Sequence, residues 1–253
     1  MPNKFDEILL IIELKSINKL PKDIIKKGDN NMVNMLLSQY NFHEEWARDT
    51  IKKYIHSYNK VVVVPFAFSN KAMCNPVDWE KAYNKEKGKY YKQIVGPFID
   101  LGISEENITF INYFKDTKDN MKRVIKSSDV VFLTGGLPDM AVEHVLEKDI
   151  LGSINESKLV IGVSAGALMQ LNNYYISPDK DYPEFIYLKG LGLIKENFYI
   201  EVHYAETDME NNCIKKALEE KTTTVYAIKD TGGIILDSDK IRLIGDVTKF
   251  NRD

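Results

Sequence analysis

Three runs constrain this chain more than any other feature: "KVVVVPFAF" (60–68), "DVVFLTGG" (129–136) and "KLVIGVSAG" (158–166). Each strings mostly β-branched apolar residues together and then meets proline, glycine or serine. A strand with one wet face alternates apolar and polar residues, whereas a strand covered on both faces reads as an unbroken apolar run. Longer amphipathic stretches lie between such runs. "HEEWARDTIKKYIHSY" (43–58) repeats Trp46, Ile51, Tyr54 and Ile55 at roughly helical spacing, "TKDNMKRVIKSS" (117–128) is a short helix, and Pro138-Asp139 open another. Buried strands alternating with helices predict an α/β fold, a three-layer αβα sandwich around a mostly parallel central sheet.

The remaining segments extend the same pattern. "VNMLLS" (33–38), "ITFINY" (108–113) and "FYIEVHY" (198–204) read as strands. "KAYNKEKGKYYKQIVGPFIDLG" (81–102) reads as a helix interrupted near Gly96-Pro97. Near the end, "TVYAIKD" (224–230) and "GGIILD" (232–237) read as separate strands, the second forming a hairpin with "KIRLIG" (240–245). Residues 1–30 close on a polar Lys/Gly/Asp/Asn cluster and are expected to be an N-terminal extension. Residues 31–253 are expected to be a single catalytic domain, a length one large α/β domain accommodates.

Charge narrows the partners. With 34 basic and 37 acidic residues, a net charge of −3 and the two signs interspersed, neither nucleic acid nor a membrane surface is an expected partner. The apolar run "ILLII" (8–12) is too short to span a bilayer, and Asp6, Glu7 and Glu13 bracket it unlike a signal peptide. Cys74 and Cys213 form no CxxC motif, so neither a disulfide framework nor a zinc site is expected, and a cytoplasmic setting is.

The chemistry gathers at one strand end. Gly162-Val163-Ser164-Ala165-Gly166 fits the G-x-S-x-G elbow, in which a nucleophile sits on a strained strand-to-helix turn flanked by small residues. Small residues also serve ordinary tight turns, so the motif alone leaves both readings open. Gly135-Gly136 end the "VVFL" run, where backbone amides could approach a substrate oxygen. Gly136 and Ala165 are the natural pair of oxyanion donors. A serine nucleophile needs a base. His43, His56 and His144 read as helix histidines, while His203 closes a β-like run at the edge where Ser164 should lie. The third member should be a carboxylate. Asp230, at the end of "TVYAIKD", is mildly favoured over Asp179 in the loop "ISPDKDYPEF". Glu201 would share a strand face with His203 but is badly placed to reach the ring, and Glu206 is a further candidate. HExxH is missing and the histidines are scattered, so no metal and no cofactor is expected.

Taken together, "VVFLTGGLPDMAVEHVL", "IGVSAGALM", "LKGLGLI" and "EVHYAE" resemble the serine peptidases of the aspartyl dipeptidase (peptidase E) family, which includes the cyanophycinases; the resemblance runs from about residue 33 to about 245. It implies a sheet like that of class I glutamine amidotransferases. It also implies a serine-type hydrolase cleaving small peptides, dipeptides and acidic or isopeptide substrates included, through an acyl-enzyme on Ser164, as a monomer or homodimer. His203 would be the base, and Gly136 and Ala165 the oxyanion donors. The family's glutamate falls on Asp230, and Asp179 matches an aspartate sometimes given the role. Val163 stands where relatives often carry a bulkier residue, and residues 1–30 are outside the pattern. A non-catalytic protein that binds a small anion or peptide on the same fold is the alternative. Glutamine-dependent transfer ranks last, because those enzymes use cysteine where this chain has serine.

Overall fold

A computed structural model describes residues 32–238 and 240–252, and the extension expected over residues 1–30 lies outside them. The chain runs β1 (Val33–Leu37), α1 (Glu45–Ile51), β2 (Val61–Val64), α2 (Pro76–Tyr83), α3 (Tyr91–Asp100), β3 (Ile108–Phe110), α4 (Lys118–Lys126), β4 (Val130–Leu133), α5 (Pro138–Glu147), α6 (Leu151–Asn155) and β5 (Leu159–Val163). It continues through α7 (Ala165–Leu168), β6 (Asn173–Ile176), β7 (Ile186–Lys189), β8 (Tyr199–Val202), α8 (Asp208–Glu220), β9 (Thr224–Asp237) and β10 (Lys240–Asn251).

The fold is an α/β sandwich on a mostly parallel sheet. Strands β3, β2, β4, β5 and β1 lie side by side and parallel. Beyond β1 the long β9 runs antiparallel and forms a hairpin with β10, while β8 pairs parallel with the first part of β9. The unbroken apolar runs follow from this burial on two sides. In β1, Met35 and Leu37 join the cluster of Ala47, Ile51, Ile94 and Phe98 from α1 and α3, whereas Leu36 joins Ala167 and Leu168 of α7. Phe132 is fully buried, its ring centroid 5.0 Å from Phe98 and 6.1 Å from Phe42. Truncating such a ring to alanine costs about 3–5 kcal/mol.

The structure redraws several elements. The first helix spans only Glu45–Ile51, so His43 precedes it and His56 follows it. The break in the long helical stretch falls at Asn84–Tyr90, between α2 and α3. Gly96 and Pro97 sit inside α3, where Pro97 forgoes one intrahelical hydrogen bond and the burial of Ile94, Val95, Pro97 and Phe98 offsets the loss. "TVYAIKD" and "GGIILD" form one strand, because β10 pairs with it on both sides of a bulge opposite Lys229–Thr231. The hairpin of β6 and β7, which brackets the loop carrying Asp179, had no clear periodic signal.

Candidate active site

Ser164 leaves β5 at φ 53° and ψ −114°, a conformation that costs an L-residue of order 1–3 kcal/mol. Its surroundings hold it there. Its N–H donates to Leu37 O at 2.8 Å, and its carbonyl accepts from Ala167 and Leu168 at 2.9 and 3.1 Å. The turn closes only around small residues: a Cβ on Gly162 would collide with the Gly166 carbonyl, and one on Gly166 with the Leu133 carbonyl. Gln170, fully buried, braces the elbow from behind. Its amide donates to Met35 O and Gly166 O, both at 3.2 Å, and accepts from Asn34 Nδ2 at 2.9 Å.

The histidine and the acid meet because β9 has two different neighbours on one side. β8 pairs with Val225–Ile228 and β1 with Gly233–Asp237, in opposite directions. Their C-terminal ends therefore face each other across Lys229–Gly232. Ser38, just past β1, bridges that gap: its hydroxyl donates to Ile228 O at 2.8 Å and accepts the His203 N–H at 3.0 Å. His203, just past β8, turns into the left-handed region at φ 59°. Strand alternation ends there, and Glu201 and His203 part company. The segment that follows is fixed by Glu210, whose carboxylate accepts from the N–H groups of Ala205 and Thr207 at 3.1 and 2.9 Å, within the capping box of α8.

In the gap, His203 Nδ1 lies 2.9 Å from Asp230 Oδ1, and His203 Nε2 lies 2.9 Å from Ser164 Oγ. With Nδ1–H donating to the carboxylate, Nε2 is left to accept the serine proton. Of the candidate acids, Asp230 alone reaches the ring, from mid-strand rather than from a strand end. Asp179 Oδ1 accepts from the N–H groups of Asp181 and Tyr182 at 2.8 and 2.7 Å, closing its own turn. Glu206 pairs with Lys229. Glu201 is only 7% exposed and accepts from the Ser177 hydroxyl at 2.8 Å; burial pushes its carboxyl up to about 7.

Gly136 sits at φ 137°, with its Cα packed on the Ala67 carbonyl where a Cβ would clash. The neighbouring Leu137 N–H donates to that same carbonyl at 2.9 Å, which fixes the loop. Among the described residues no acceptor meets the N–H of Gly136 or of Ala165. His144 is fully buried, between Phe66 O (2.8 Å) and Asn70 Oδ1 (2.9 Å), and holds the loop after β2 from below. The sequence reading missed Ser38 and Gln170. Their signal was position alone: a polar residue at a strand's carboxyl end, and an amide just past the short elbow helix.

An open groove of about 520 Å³ runs from Asp230 past Gln39, Tyr40 and Asn41 to Lys92 and Gln93 on α3. Among the described residues no group of three or more His, Cys, Asp or Glu is arranged to hold a metal ion, and no helix is long and apolar enough to cross a membrane.

The sequence profile of peptidase family S51 matches residues 35–244. Comparison with curated protein sequences finds no match. Among solved structures, a protein from Listeria monocytogenes EGD-e described as peptidase E is similar, with a TM-score of 0.59 and 18% identity over 85% of this chain and 98% of that one. A peptidase from an acI-B1 actinobacterium gives a TM-score of 0.60 and 14% identity, over 87% of this chain and 90% of that one. At these identities the two structures establish the fold; the match to the family profile establishes membership.

Proposed function

The chain belongs to peptidase family S51, and from that premise we propose that it hydrolyses small peptides through an acyl-enzyme on Ser164. The observation that carries the proposal is the unbroken relay from Ser164 Oγ through the His203 ring to Asp230, with both links at 2.9 Å. In it Ser164 attacks the scissile carbonyl carbon while His203 Nε2 takes the hydroxyl proton. Asp230 accepts from Nδ1–H, keeps the ring in the productive tautomer and stabilises the imidazolium. The oxygen that becomes negative accepts from the free N–H groups of Gly136 and Ala165, which need no reorganisation when charge develops. Collapse of the tetrahedral intermediate breaks the C–N bond, and the His203 proton leaves with the amine. Water, deprotonated by the same nitrogen, then attacks the acyl-enzyme and returns serine and a carboxylic acid.

An open groove of about 520 Å³ adjoins Asp230 and offers room for part of a small peptide beside the relay. Dipeptides and isoaspartyl peptides are the first panel to try. Wild type is expected to turn over members of that panel, with Ser164→Ala and His203→Ala falling to background. A serine-directed fluorophosphonate should label Ser164 in the folded protein. An enzyme that hydrolyses nothing in the panel and leaves Ser164 unlabelled sinks the reading.

A further inference from the structure

One side chain at the site has a function to spare. The Tyr40 hydroxyl oxygen accepts the Gly135 N–H at 2.9 Å, yet among the described residues its own proton has no acceptor. The ring is fixed edge-on to Phe132, with centroids 5.9 Å apart. Gly135 brings this hydroxyl next to the reacting serine. A Cβ built on Gly135 would lie 3.4 Å from Tyr40 Oη and 3.4 Å from Ser164 Cβ, so the missing side chain leaves a niche bounded by both. The groove beside Asp230 also has Tyr40 in its wall. Burial pushes the phenol up to about 12, which keeps the proton in place at any pH where a peptidase works.

We propose that Tyr40 is a substrate-binding residue, whose O–H donates to an acceptor oxygen of the bound peptide beside the scissile bond, while its oxygen stays anchored on Gly135. The inference rests on the peptidase reading of Ser164. It adds a directional donor for a carbonyl or carboxylate oxygen, outside the Gly136 and Ala165 pair. Such a bond, present in both the bound substrate and the transition state, acts on KM rather than on kcat.

Two substitutions test it, assayed on the aminoacyl p-nitroanilide that wild type cleaves fastest. Tyr40→Phe is expected to raise KM about tenfold, the loss of one neutral hydrogen bond, with fluorophosphonate labelling of Ser164 retained. Fluorinated tyrosines at position 40 separate the two roles of the hydroxyl. Their phenolate still accepts the Gly135 N–H but has no proton to give. Donation to substrate therefore predicts an alkaline fall in kcat/KM that wild type lacks and that moves to lower pH with each added fluorine. A fluorotyrosine enzyme whose pH profile superimposes on wild type overturns the proposal, as does a Tyr40→Phe enzyme with wild-type KM. Loss of labelling in wild type itself would instead strike the Ser164 reading.

Discussion

Two carboxylates stand near His203, and their environments are opposite. Asp230, with its side chain 61% exposed, is 27 positions away in sequence and in contact with the imidazole. Glu201, two positions away, is 7% exposed and turned toward Ser177 and α8. The distant residue reaches the ring because β9 exposes a stretch of backbone between the ends of β8 and β1. The adjacent one fails to reach it because Glu201 belongs to the strand, whereas His203 has left it at φ 59°. Proximity along the chain therefore says little about which acid a histidine finds; what matters is where pairing stops. The exposed carboxylate is the one that meets the imidazole, while burial drives the Glu201 carboxyl toward its neutral form.

The largest effect should come from exchanging the two roles. Asp230→Asn keeps the shape but offers the ring the wrong hydrogen-bond partner, and kcat is expected to fall by roughly 10³–10⁴. Glu201→Gln should leave kcat close to wild type. Asp230→Glu, which restores the residue the family pattern has there, should recover most of the lost rate. Steady-state kinetics on one substrate decide the matter, and equal losses for Asp230→Asn and Glu201→Gln would erase the contrast.

Next in size is a stability effect confined to the buried side. The Glu201 carboxyl rises from an ordinary 4.5 to about 7 on folding. Between those pH values the folded state holds a proton that the unfolded state has released, so stability falls as pH rises through this window. The full swing is about 3 kcal/mol at most. Glu201→Gln removes the ionisation, so its stability should stay flat where wild type declines, and above pH 7 it should be the more stable protein. Urea titrations at pH 5 and pH 8 measure the difference. A wild type with equal stability at both, once corrected with the Gln variant, would break the assignment.

Much of this was legible in the chain, and the gaps have physical causes. The apolar runs announced the parallel sheet because two-sided burial leaves no polar alternation, and Gly162 and Gly166 announced the elbow because no Cβ fits there. The continuity of β9 was hidden, since Thr231-Gly232-Gly233 has the composition of a turn and stays in the strand through the pairing of Gly232 and Gly233 with β10 and of Gly233 with β1. Ser38 was hidden for a similar reason: a lone serine after a strand carries no pattern, and its importance lies in partners 165 and 190 positions away. Ser38→Ala should cost about 1–3 kcal/mol, because the His203 N–H loses a buried acceptor. Its kcat should drop while KM holds, because the imidazole loses its anchor and the groove does not. Thermal melts and kinetics on the same preparation separate the two losses.

The smallest effect is expected at Asp179, which tests whether the open side of the comparison has a second acid. Its carboxylate is spent on the N–H groups of Asp181 and Tyr182, and its own N–H donates to Tyr182 O at 2.7 Å. Tyr182 in turn ties the loop to Asp139 at the start of α5, a few residues past Gly136. Asp179→Asn keeps an oxygen for the turn while removing the charge, so stability should move by no more than about 0.5 kcal/mol. The rate should stay near wild type, because no charge is lost from His203. Asp179→Ala gives up the turn as well, and any effect should appear in KM through the loop rather than in kcat. Were Asp179→Asn to lose rate on the scale expected of Asp230→Asn, the loop would have to deliver its carboxylate to the imidazole during turnover. The exposed Asp230 would then be a surface ion-pair partner, of the kind worth less than about 1 kcal/mol.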